Sequence, residues 1–180
     1  MITIVSTYHP DGTDSPPAHV RHCLKRLDEM GYDYKVEVSR HNNQKITRIA
    51  YLNFLDILKK YKEAKEDLLI LEDDVLITIR RDELETLARW NNYNGIIRVA
   101  WDKKHRHRGH VLVLGAFATY IPRDYIEYLI EQMERSLPQH IDCYFSRNDK
   151  INQITLEKSL GLQIQHYSRI IGKIRKGIIL

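Results

Sequence analysis

A chain of 180 residues can build one substantial core and is short for two domains. Its composition, 43% hydrophobic and 29% charged, is that of an ordinary globular protein, and no apolar run approaches the ~20 residues of a membrane-spanning helix. Twenty-eight basic against 24 acidic residues leave a net charge of +4, too small to define a partner by itself, so its placement along the chain has to be read.

ITIVS (2–6) is a β-branched run and reads as a first strand. The surrounding MITIVSTYHP lacks the basic region and apolar length of a signal peptide, and Cys23 and Cys143 show no disulfide or zinc spacing. A reducing, cytoplasmic setting is the expectation. From Ala18 to Gly31, Val20, Cys23, Leu24, Leu27 and Met30 fall at helical spacing, with Gly31 as the stop. YKVEVS (34–39) alternates as a strand, and Ile46, Ile49, Ala50, Phe54, Ile57, Leu58 and Tyr61 mark one face of a long helix. DLLILE (67–72) is a continuous apolar run, the mark of a strand covered on both faces. Asp82 with Glu85 has the form of a capping box opening another helix. GIIRVAW (95–101) and HVLVLGAFATYI (110–121) read as strands, Tyr125 to Met133 as a helix, 149–159 as a last helix and LQIQHY (162–167) as a closing strand.

Strands alternating with helix-length crossovers predict a single α/β domain over 1–180, with a largely parallel sheet and a basic tail from 168. Ligands of such sheets bind at the carboxyl ends of the strands, near a switch in strand order. Glu72, Asp73 and Asp74 stand at that end of the most apolar strand and are followed by VLIT. Unpaired buried carboxylates cost several kcal/mol, so a positive partner is required: a divalent cation, or in the plainer reading Arg80, Arg81 or a lysine. Hard cations such as Mg²⁺ and Mn²⁺ take one or two carboxylates beside a ligand's phosphates. In an extended segment Glu72 and Asp74 would face one way and Asp73 the other.

LILEDDV resembles the DxD region of GT-A-fold, nucleotide-sugar-dependent glycosyltransferases. RHNNQKITRIAYLNFLDILKK before it, GAFATYIPRDYIEYLIEQM after it and LQIQHYSRIIG near the end extend the likeness, the last resembling lipopolysaccharide-type transferases. Small transferases of this kind also occur among viruses of hot-environment archaea, in which case the host cytoplasm would be the location. The resemblance implies a GT-A-like fold and a UDP- or GDP-sugar donor, with a glycan or protein acceptor. It implies that Asp74 binds Mn²⁺ or Mg²⁺ with His166 as a further ligand, and that Glu72 and Asp73 meet the ribose or donor sugar. Thr7, Lys45 and Arg48 would contact the nucleotide, Arg169 and Lys173 would close over the diphosphate, and Asp142 would act as general base. Each has a plainer reading: Thr7 as a strand end, Lys45 and Arg48 on a solvated helix start, His166 as a packed or surface histidine, Asp142 as a helix cap.

The segment 101–110 reads as a basic loop, and its Lys103, Lys104, Arg106 and Arg108, with His105, His107, His110 and nearby Trp101, support a rival reading as a nucleic-acid-binding protein or metal-dependent nuclease. VLITIRRDELE lacks the E-x-K of restriction-type nucleases, which weakens the nuclease form. A GT-A-like module that binds without transferring is a third reading.

Overall fold

The computed structural model describes residues 1–7, 18–41, 45–91, 94–107, 110–114, 118–163, 167–168 and 173–174; within these, the side chains of 46–47, 91, 103–107, 110–114, 167–168 and 173–174 are left undescribed. In chain order the elements are β1 (Ile2–Thr7), α1 (Ala18–Glu29), β2 (Tyr34–Val38), α2 (Ile46–Tyr61), β3 (Leu68–Glu72), β4 (Val75–Ile77), α3 (Arg81–Asn91) and β5 (Ile96–Ala100). There follow β6 (Lys103–His107), β7 (His110–Leu114), β8 (Ala118–Ile121), α4 (Ile126–Glu134), α5 (Ile141–Arg147), β9 (Gln153–Thr155), β10 (Gly161–Gln163), β11 (Tyr167–Ser168) and β12 (Lys173–Ile174).

Six strands form the central sheet in the order β2-β1-β3-β8-β5-β9. Only β8 runs against its neighbours β3 and β5; the other pairings are parallel. The apolar runs of β1 and β3 alternate between two cores, as a strand's period of two requires. Ile4, Leu68 and Ile70 pack under α2, α4 and α5, with Tyr51, Leu58, Leu129 and Phe145. Val5, Leu69 and Leu71 pack under α1 and α3, with Cys23, Leu27 and Leu84. The continuous hydrophobicity of LLIL is thus the signature of a strand covered on both faces.

Gly31 ends α1 as its position predicts. Its φ of 79° lies in the left-handed region, and Tyr32 N–H donates to the Leu27 carbonyl at 3.0 Å, closing the helix end. At α3 the capping residues differ from expectation. The Arg80 carbonyl accepts the first helical bond from Leu84, and Glu83 Oε2 takes the Arg80 N–H at 3.1 Å, so Glu83 supplies the carboxylate half of a capping box to Arg80, and Asp82 lies inside the first turn.

Three other expectations change. The apolar stretch 110–121 is two strands, β7 and β8, because β7 pairs in a hairpin with β6 while β8 enters the main sheet. The basic segment 103–107 is therefore a strand of that hairpin rather than a loop. Residues 149–159 hold β9, parallel to β5, where a helix was expected; only three residues, Gln153–Thr155, are needed to complete the sheet edge. The helix of that region is α5, seven residues too short to show a periodic stripe.

Candidate functional site

From β1 the chain moves outward through α1 to β2, then returns through α2 to β3 on the other side of β1. Strand order therefore reverses between β1 and β3, whose carboxyl ends are Thr7 and Glu72, and Ser6 stands in register with Glu72. This is the crevice where open α/β sheets bind ligands. Thr7 is buried, and its Oγ1 has no hydrogen-bond partner among the described residues. Asn53 on α2 donates to Ser6 Oγ at 2.6 Å, fixing α2 to this edge. Lys45 immediately precedes α2 and is exposed, and Arg48 is half-buried in its first turn. No described hydrogen bond or ion pair joins either of them to the acidic turn.

The triplet itself divides. Glu72 ends β3, but Asp73 and Asp74 form a turn, and the chain re-enters extended structure only at Val75. The expected strand alternation through all three residues therefore fails. Asp73 and Asp74 are 5% and 1% exposed. Asp74 Oδ2 accepts a hydrogen bond from Gln163 Nε2 at 2.9 Å, and Asp73 Oδ1 lies 3.9 Å from His19 Nε2 on α1. Cys23 Sγ lies 3.9 Å from the Glu72 carbonyl oxygen. Burial chiefly, and then the charges of Asp73 and Asp74, push that thiol up to about 12.

Glu72 acts on the opposite face of the sheet, where Arg98 of β5 is fully buried. Arg98 Nη2 stands 3.3 Å from Asp142 Oδ1, and the guanidinium lies over the Phe145 ring at 5.3 Å. Burial draws the guanidinium down to about 10, opposed first by Asp142 and then by Glu72. Arg98 remains a cation at neutral pH, between one carboxylate at the end of β3 and another on α5. The β5–β8 register shifts between Arg98 and Ala100, the kind of irregularity that re-aims side chains next to active sites. Asp142 lies in the first turn of α5, whose cap residue is His140, with His140 Nδ1 3.6 Å from Asp142 Oδ2.

Gln163 is delivered by β10, which runs antiparallel to β4. Gly161 at its start sits so close that a Cβ would lie 2.7 Å from Ala100 Cβ and 3.1 Å from Val75 Cγ1. Of the remaining candidates, His166 and Arg169 lie outside the described residues, and Lys173 opens β12 with its side chain undescribed.

The architecture is GT-A-like: a mainly parallel six-stranded sheet between helical layers, with buried acids following the central β3. Solved structures share it. A glycosyltransferase involved in the glycosylation of the major capsid of PBCV-1 superposes with a TM-score of 0.55 over 86% of this chain and 80% of its own, at 14% identity. A197 from STIV superposes with a TM-score of 0.57 over 90% and 84%, at 18% identity. No family model and no curated protein matches the sequence. Identities this low establish the fold.

Proposed function

We propose that the chain is a metal-dependent glycosyltransferase that moves a sugar from a UDP- or GDP-linked donor to an acceptor hydroxyl of a glycan or protein. The observation that carries this reading is the burial of Asp73 and Asp74 in the turn after β3, beside the β1/β3 switch point of a GT-A-like sheet. The donor set suits the cation. Two adjacent carboxylates are hard oxygen ligands of the kind Mn²⁺ and Mg²⁺ take when phosphates complete the shell. Among the described residues no group of three or more His, Cys, Asp or Glu side chains is placed to hold a metal. The further ligand proposed, His166, lies outside them.

Asp74 would hold the cation, which when bound would stabilise the negative charge of a departing diphosphate, and Asp73 beside it would meet the ribose or donor sugar. The Thr7 hydroxyl, buried at the end of β1, is a donor for the nucleotide, with Lys45 and Arg48 entering from α2. Glu72 meets the ribose or donor sugar, and Arg169 and Lys173 close over the phosphates. Asp142 receives the acceptor's proton, with Arg98 fixing its orientation. Among the described residues no helix is long and apolar enough to cross a membrane, and the reading needs none.

Calorimetry with UDP and with GDP, each with and without Mn²⁺, tests the reading. Metal-dependent binding to one nucleotide is expected, lost in Asp74→Ala. Absence of binding to both nucleotides overturns the donor assignment. Turnover unchanged in Asp142→Asn would remove Asp142 as the base while leaving the donor site standing.

A further inference from the structure

The outer strand β2 carries a pattern that the site does not use. Ser39 N–H donates inward to the Thr7 carbonyl at 2.9 Å. By the alternation of a strand, the backbone groups of Lys35 and Glu37 also face β1, and those of Tyr34, Val36 and Val38 face away from the sheet. Val36 and Val38 are 42% and 49% exposed although both are apolar, and among the described residues β2 is the terminal strand of the sheet. The devices that usually blunt such an edge are missing or turned aside. The strand has no proline, and Lys35 Nζ is folded back over the Tyr61 ring at 5.1 Å. Glu37 is held by Lys60 Nζ and Tyr61 Oη, each at 2.6 Å.

The sequence of this edge is self-complementary. Written Asp33-Tyr34-Lys35-Val36-Glu37-Val38-Ser39, it pairs with its own reverse when centred on Val36. Tyr34 then faces Val38, Val36 faces Val36, and Lys35 faces Glu37. Aromatic–β-branched and opposite-charge pairs are the favoured cross-strand combinations. At the end of this register Asp33, which is exposed and bonded to Arg81 at 2.6 Å, faces Ser39 of the other copy. Tyr34, Val36 and Val38 are also the residues whose backbone groups face outward, so this register pairs them as well.

We propose that β2 is a homodimerisation edge, pairing antiparallel with β2 of a second copy and joining two six-stranded sheets into one. A two-fold contact of this kind is closed and does not propagate. Complementarity selects the occupant: read in reverse, a second copy sets Tyr34 against Val38 and Val36 against Val36 across the outward-facing backbone groups, and it brings its own Lys35 opposite the Glu37 that Lys60 and Tyr61 already hold.

Sedimentation of the full chain between about 1 and 100 μM tests this. The mass should rise toward twice the 21.4 kDa of one chain. Val36→Lys sets two ammonium groups against each other at the two-fold axis and should weaken association at least tenfold, with thermal stability retained because the side chain leaves the sheet. Val36→Cys supplies a second measure, since mild oxidation should give a cross-link that peptide mapping assigns to position 36 in both chains. A single-chain mass throughout, association unchanged in Val36→Lys, or a Val36→Cys protein that forms no such cross-link each overturns the proposal. None of these readouts depends on nucleotide, so their failure is separate from failure of the transferase reading.

Discussion

Replacing Gly161 with alanine should loosen the candidate site through the fold alone, without touching any proposed ligand. The new Cβ would stand 2.7 Å from Ala100 Cβ, 3.1 Å from Val75 Cγ1 and 3.6 Å from the Leu76 carbonyl oxygen. The first of these is well inside van der Waals contact, and both partners are rigid: one is a β-carbon on β5, the other a branched side chain on β4. Overpacking of this kind costs about 1–3 kcal/mol. For a chain of this length each kcal/mol lowers Tm by roughly 2–4 °C, so a fall of about 2–12 °C is expected. Strand β10 must shift to make room, and Gln163, two residues on, carries the 2.9 Å bond to Asp74. Mn²⁺-dependent nucleotide affinity should therefore fall together with stability. Ala100→Gly removes the atom struck first. It costs about 0.5–1 kcal/mol alone, yet in the double variant it should return part of the lost stability, giving a favourable coupling in a double-mutant cycle. Thermal melts of the four proteins decide the matter. A Gly161→Ala protein as stable as the native one, or purely additive effects, would refute the packing argument.

Arg98→Met leaves the Asp142 carboxylate buried without its 3.3 Å cation and should cost about 3–5 kcal/mol in urea unfolding, most of it recovered by adding Asp142→Leu; a double variant no better than the single would contradict a buried pair. Burial alone would raise the Glu37 carboxyl, but the hydrogen bonds from Lys60 and Tyr61 outweigh it and hold it below its ordinary value of 4.5. A depressed folded pKa gives stability that is full above 4.5 and lost as pH falls through the lower folded value, so Glu37→Gln should flatten the acid limb of Tm against pH, and superimposable limbs would rule this out. Cys23, with its thiol pushed up to about 12 chiefly by burial, should resist iodoacetamide at pH 8 until the protein unfolds; rapid native labelling of Cys23 would be inconsistent with its burial.

The parts of the fold that were legible in the sequence are those whose burial is simple. Leu68 to Leu71 announce a two-faced strand, the stripe from Ile46 to Tyr61 announces α2, and Gly31 marks the end of α1. What escaped depends on contacts that pattern cannot carry. A three-residue β9 has no period to detect, and the division of 110–121 is set by which partner each half finds, β6 or β3. The turn at Asp73–Asp74 reads as extended in the sequence because its neighbours on both sides are strands. Arg98 is different, since it stood in view: a charge inside GIIRVAW is the same kind of signal as the acids after LLIL. Asking what neutralises it leads to a buried acid, and Asp142 is that acid. Gln163 gave no such signal, because an amide near the end of a short strand is common and only the approach of Gly161 to Ala100 and Val75 aims it.

The split of the triplet also changes what the three carboxylates can do. Three acids on one surface would compete for one cation and repel one another. The turn after Glu72 instead sends Asp73 and Asp74 toward α1 and β10, while Glu72 stays on the face of Arg98 and Asp142. Each face thereby receives an electrostatic problem of its own. On the first, two carboxylates raise the pKa of Cys23, and a bound cation would relieve the charge. On the second, the relief is built in, because Arg98 stands between Glu72 and Asp142 and interacts with both.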